Sequence, residues 1–160
     1  MSSNQLFALV FCLIAIGSSV PLIYNQILAT KWGKHSESWP TAKGQITRSE
    51  VQKRSAGKNG VTYHPVIAYS YRIDGTWYEA KRVEFGKPLV LFNAKEYATN
   101  LVAKYPKGLK TAVYYHPDQP TLATLQPGIS RRNLVFGWLS SLLPIVIGTV
   151  LAYLAITTFR

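Results

Sequence analysis

His116 and Asp118 form the only tightly spaced His–x–Asp pair in this chain. An imidazole and a carboxylate two residues apart could share a proton in acid–base catalysis or supply two ligands to a metal. A metal site would need a third protein ligand, and only His64 or Glu84 could be drafted from elsewhere. The pair also lies in a proline-bounded turn, Pro117-Asp118-Gln119-Pro120, where an aspartate more often bonds its own backbone. No serine occupies a G-x-S-x-G elbow and no glycine-rich phosphate loop occurs. The one cysteine, Cys12, sits in an apolar run after Phe11, which is too large for the position before a lipidated cysteine, and it excludes an intramolecular disulfide. The inventory predicts a non-enzymatic protein with no catalytic residue, no metal and no cofactor. A membrane-bound hydrolase using His116 and Asp118 is the enzymatic alternative.

Positive charge is the larger chemical signal. The 18 Lys and Arg less Arg160, set against 7 Asp and Glu, place a net charge of +10 between Lys31 and Arg132. Lys53, Arg54 and Lys58 form the densest group, in a polar loop read over Gln52 to Gly60, and Lys104, Lys107 and Lys110 form another. Such groups can be plain solvated charge. Beside a bilayer they are drawn to anionic headgroups by about 1 kcal/mol for each basic residue near the surface, and they can also meet an acidic protein partner. These six residues are the candidate membrane- or partner-contact residues. Nucleic acid is not an expected partner, because no RNP-type motif accompanies the aromatics.

The segments that must carry this domain are free of charge. Residues 6–29 and 134–159 contain no Lys, Arg, Asp or Glu. A helix from Leu6 to Leu28 covers about 34 Å, enough for a hydrocarbon core of about 30 Å. Pro21 is tolerated in such a helix where neighbours satisfy the freed carbonyl. Leu134 to Phe159 reads as a second span, entered from Arg131-Arg132 and closed by Arg160. A cleaved signal peptide is disfavoured for the first, since its opening MSSNQ has no basic residue and no Ala-x-Ala site follows. The division is therefore 5–29 transmembrane helix, 30–132 basic β-rich domain and 133–159 transmembrane helix. Lys31, Lys34, Arg131 and Arg132 flank the spans on the domain side, which favours a cytoplasmic domain, although the rule weakens for loops this long.

Within the domain, residues 63–73 alternate with period two and place Tyr63, Pro65, Ile67, Tyr69, Tyr71 and Ile73 on one face. Asp74-Gly75 supplies a two-residue hairpin turn, which sets Tyr71 opposite Tyr78 on the core face and Arg72 opposite Trp77 on the outer face. Thr41 to Val51 reads as a strand pairing with 61–73. Asn93 and Glu96 open a helix through Tyr97, Leu101, Val102 and Tyr105, stopped by Pro106 and Gly108. Leu109 to Tyr115 and Thr121 to Leu125 complete a β-β-β-α-β-β order, mostly antiparallel: an α+β membrane protein of about five strands and one helix between two spans.

The segment Tyr105-Pro106-Lys107-Gly108, then Val113-Tyr114-Tyr115-His116-Pro117, Pro120, Ala123 and Leu125, resembles the bacterial domain-of-unknown-function family 3592. Trp39-Pro40, Gly44, Ile46, Tyr69, Tyr71, Gly75 and Tyr78 extend the resemblance over roughly residues 39–128. It implies this fold between membrane helices, hence a two-pass protein of the bacterial inner membrane, and it transfers no catalytic residue. His116 stands where that family usually carries Asp. The expectation is a non-enzymatic membrane protein whose domain binds a protein partner or the membrane surface. The alternative the resemblance raises is an immunity protein that neutralises a secreted toxin at the membrane.

Overall fold

A long helix, a five-stranded sheet interrupted by a short helix, and a second long helix follow one another in the computed structural model, which describes residues 3–56, 60–86 and 94–158. The elements are α1 (Ser3–His35), a single 3₁₀ turn (Ser36–Ser38), β1 (Thr41–Ala56), β2 (Gly60–Ile73), β3 (Thr76–Ala80), α2 (Ala94–Lys104), β4 (Lys110–His116), β5 (Gln119–Thr124) and α3 (Arg131–Thr158). The sheet order is β3-β2-β1-β4-β5, and every neighbouring pair is antiparallel. Two helices, over Val10–Ser38 and Arg131–Leu154, are long and apolar enough to cross a membrane.

The Asp74-Gly75 hairpin forms as its residues dictate. Both take positive φ, 47° and 86°, which a two-residue turn with the twist of its strands requires. The register sets Tyr71 against Tyr78 and Arg72 against Trp77. The tyrosine rings stack at 5.8 Å and the guanidinium lies 6.0 Å from the indole.

The other hairpin corrects the sequence reading. Most of Gln52 to Gly60 is strand rather than loop: Gln52 pairs with His64, Lys53 with Tyr63, Arg54 with Thr62 and Ser55 with Val61. These residues are too polar to show amphipathic period. They are held instead by main-chain bonds to β2, whose own length extends the ladder. Lys58 and Asn93, assigned above to a basic group and a helix cap, lie outside the described residues, as does Arg160.

The core consists of Ile46, Ile67, Tyr69, Tyr71, Tyr105, Val113, Ala123 and Leu125. β1 is central, and at Gly44 it pairs with both Tyr71 and Thr111. A side chain there would run into the Val113 methyl and the Ser70 carbonyl, so only glycine lets three strands lie this close. The register slips between Ile46 and Arg48. This bulge adds local twist, and the Gly108 amide caps it by donating to the Ile46 carbonyl at 2.8 Å. The sheet curls until its outer strands meet beyond their ends. The Leu125 amide donates to the Arg82 carbonyl at 3.3 Å and the Gln126 amide to Val83 at 2.8 Å. The hydroxyl of Tyr69 donates to the Arg82 carbonyl at 2.7 Å, and that of Tyr71 to Pro120. α2 lies over the core face, with Leu101 and Tyr105 packed into it and Ala98 fully buried.

α1 and α3 pack as an antiparallel pair through small residues. Ala15, Ser19, Gln26 and Gly33 are buried on α1, and Gly137, Ser141, Gly148 and Ala152 on α3. Gly148 abuts the Ala15 methyl, with no room for a Cβ, and Gly137 abuts the Gln26 amide, which would have to swing away to admit one. Close packing of this kind holds helices together where the solvent is as apolar as their side chains.

Candidate functional site

The period-two alternation that aims the tyrosines inward aims a different set outward. Thr41, Lys43 and Gln45 on β1, Ser70 on β2, Trp77 on β3, and Lys110 and Ala112 on β4 line a depression of about 650 Å³ on the outer sheet face. Ser70 and Ala112 are short and form its floor. Lys43, Lys110 and Arg72 are exposed cations around it, and Glu79, opposite Ser70 in the register, is an acidic residue on the same face. Trp77 is 67% exposed, an uncommon placement for the largest aromatic unless the face is covered by something else. This is a cationic surface with an aromatic anchor.

Of the six contact residues read from the sequence, the five that lie among the described residues scatter. Lys53 and Arg54 are adjacent on β1 and so point to opposite faces of the hairpin. Lys104 ends α2 with its ammonium 5.4 Å from the Tyr105 ring. Lys107 is exposed in the turn before β4. Of these five, Lys110 alone joins the depression, together with Lys43, which the sequence reading left unassigned, and Trp77, which it placed on the outer face opposite Arg72. The signal for Trp77 was in the sequence, since it occupies the outward phase of a strand whose inward residue, Tyr78, was recognised; the strand holding Lys43 was read without its phase.

His116 and Asp118 serve a joint between the domain and the helices. The His116 ring packs edge-on against Trp32 at 5.2 Å and Trp39 at 5.4 Å, and Phe85 meets Trp39 at 5.7 Å. The Asp118 amide donates to His116 Nδ1 at 3.1 Å, which fixes the ring within its own turn. His64 lies 3.1 Å from Thr62 Oγ1 instead, and Glu84 accepts from the Tyr97 hydroxyl at 3.4 Å. Among the described residues, no three metal-ligating side chains converge. The connection is braced beneath by Ser36, whose hydroxyl donates to the Gly33 carbonyl at 2.7 Å and accepts from the Gly128 amide at 2.9 Å.

The shifted ionisations belong to packing. Burial, with Tyr78 adjacent, pushes the Tyr71 phenol up to about 12, and burial, with the Glu84 carboxylate beside it, pushes Tyr97 up to about 12. Tyr69 is raised further, again chiefly by burial. The Arg48 guanidinium bonded to Glu50 holds that carboxyl below its usual value.

A family model described as a domain of unknown function (DUF3592) matches residues 42–130, which run from the second residue of β1 to the residue before α3. No curated protein matches the chain.

Proposed function

The chain belongs to the DUF3592 family, and on that premise we propose that it is a non-enzymatic, two-pass protein of the bacterial inner membrane whose sheet domain binds an acidic protein segment on its outer face. The observation that carries this reading is the depression flanked by Lys43, Arg72 and Lys110 with Trp77 exposed inside it. Aromatic and arginine side chains on a patch of this kind anchor partners, and like-charged rims select the sign of what docks.

What supports the membrane assignment is the outer surface of the helix pair. Leu13 is 68% exposed, Ile14 62%, Val20 59%, Leu139 59% and Tyr153 67%. Side chains of this size arrayed along two helices belong in a hydrocarbon solvent. The basic flanks Lys31, Lys34, Arg131 and Arg132 support a cytoplasmic domain.

A photo-crosslinking residue at Gln45, introduced into the full-length protein in cells, tests the reading. It is expected to capture a discrete acidic protein, and the adduct is expected to disappear when Lys43→Glu and Lys110→Glu are added. Absence of an adduct at Gln45, or an adduct indifferent to the charge reversal, refutes it. Topology is read separately from a single cysteine at Ser55 in a Cys12→Ser background: a membrane-impermeant thiol reagent labels a cytoplasmic domain only after permeabilisation.

A further inference from the structure

A second cleft lies where the loop after β3 reaches the helix pair. It encloses about 480 Å³, and its polar lining comprises Asn25, Gln26, Arg82, Glu84, Ser140 and Ser141, with the Trp32 indole beside them. Asn25 is exposed within a charge-free stretch, where a polar side chain needs a polar partner that lipid tails do not supply; Ser140, also on the lining, donates to the Gly137 carbonyl at 3.0 Å and has a lone pair to offer. Arg82 and Glu84 face this cleft from the domain side without pairing with one another, the one ion pair among the described residues being Arg48–Glu50. Glu84 accepts a long bond from Tyr97, 3.4 Å, and retains lone pairs to offer.

The cleft does not end at its polar residues. Further along the same pair of helices an apolar groove is lined by Phe11, Ile14, Pro144, Ile147 and Leu151. At 3.6 residues per turn, Phe11, Ile14 and Asn25 fall on one stripe of α1, and Ser140, Pro144, Ile147 and Leu151 on one stripe of α3. Cleft and groove share no lining residue, but they lie along one side of the helix pair, beside the tight Gly137 and Gly148 contacts, and line up as a furrow. The step from Asn25 to Ile14, or from Ser140 to Ile147, is about 10–16 Å of helix rise. The furrow carries a cation and an anion at the domain end, hydrogen-bonding groups next, and hydrocarbon below.

We propose that this furrow binds one phospholipid with a zwitterionic aminophosphate headgroup, its phosphate at Arg82, its primary ammonium at Glu84 and an acyl chain along Ile14 and Ile147. Pockets between membrane helices that hold a basic residue take lipid headgroups by this chemistry. The unpaired carboxylate distinguishes a dipolar headgroup from a purely anionic one, and a primary ammonium can donate to it where a trimethylated one cannot. The inference rests on the membrane assignment above.

Native mass spectrometry of the full-length protein in detergent tests it, with phosphatidylethanolamine, phosphatidylglycerol and phosphatidylcholine of matched chains. Phosphatidylethanolamine is expected to be retained about tenfold more than either of the others, as the loss or gain of a charge-assisted contact entails. Arg82→Gln is expected to weaken all three, and Glu84→Gln to remove the preference for phosphatidylethanolamine over phosphatidylglycerol. Ile147→Trp, far from the domain, is expected to block retention by filling the groove. Equal retention of the three lipids by the unaltered protein, or unchanged selectivity in Glu84→Gln, overturns the proposal. Displacement of the lipid by soluble phosphoethanolamine at equal concentration overturns the lipid part and leaves a phosphoester site. A protein that stays in solution without detergent overturns the membrane assignment itself, a distinguishable failure.

Discussion

Gly44→Ala is the sharpest test of how the sheet is built. Gly44 is the one position where the central strand pairs with Tyr71 on one side and Thr111 on the other, directly over the core. A methyl there would meet Val113 Cγ2, the Ser70 carbonyl at 3.0 Å and Tyr71 Cβ at 3.4 Å. The carbonyl belongs to a paired strand and cannot retreat without breaking the ladder. Overpacking of this kind costs about 1–3 kcal/mol. Val113→Ala, which removes two buried methyl groups from a fully buried site, costs about 2–3 kcal/mol by transfer and cavity terms together.

The two should not add. With Val113 truncated, the Cβ at position 44 occupies part of the vacated space, and the Ser70 carbonyl is the one tight contact left beside the ordinary Tyr71 contact at 3.4 Å. The double variant is therefore expected to be about 1–2 kcal/mol more stable than the sum of the single losses predicts. For a sheet domain of this size each kcal/mol moves the midpoint by about 4–8 °C. Thermal unfolding of the full-length protein in detergent, followed by near-ultraviolet circular dichroism of the buried tyrosines, reads the cycle. Strict additivity would show that Val113 is not the obstacle, and an undiminished midpoint in Gly44→Ala alone would show that three strands do not lie this close at Gly44.

Two further predictions concern the tyrosine core and the helix pair. Tyrosines in the unfolded chain ionise near pH 10, whereas Tyr71 and Tyr97 stay neutral in the fold until about 12. Their raised pKa values contribute stability that is fully present below pH 10 and is lost as pH rises towards 12; urea titrations at pH 9, 10 and 11 should show this fall, and an equal fall in Tyr71→Phe/Tyr97→Phe would refute it. Gly148→Leu, forced against Ala15, is expected to lower the thermal midpoint in detergent by several degrees, whereas Thr149→Leu, one residue away and exposed, is not; similar midpoints for the two would mean that the helices do not pack through Gly148.

What could be read from the residues was local. The Asp74-Gly75 turn specifies its own register, because two adjacent residues tolerant of positive φ fix which side chains face each other; Tyr71 with Tyr78 and Arg72 with Trp77 followed directly. Two charge-free stretches declare themselves by length alone. The strand over Gln52 to Ala56 could not be read, because its residues carry no alternation and its pairing is a property of β2. Nor could the outer-face depression, since Lys43, Trp77 and Lys110 are distant in sequence and meet only through the order β3-β2-β1-β4. His116 and Asp118 showed the opposite weakness: their spacing permits chemistry, but the indoles that enclose His116 come from the end of α1 and the start of the sheet.

The joint determines what a binding face on this domain can do. Both helices enter the sheet at one end, where Trp32, Trp39, Phe85 and His116 interlock and Ser36 ties the turn after α1 to Gly128 before α3. Gly33 sits against Ile129 with 2.9 Å available to a Cβ, so the two chain crossings are packed on each other rather than strung on linkers. A sheet fastened in this way presents Lys43, Lys110 and Trp77 at a set attitude to the helix pair, and a partner docked there, as proposed above, would be held in register with the two helices. Trp32 and Phe85 belong both to this joint and to the lining of the Arg82–Glu84 cleft. A headgroup seated in the cleft, as proposed above, would therefore bear on the same side chains that fix the attitude of the sheet.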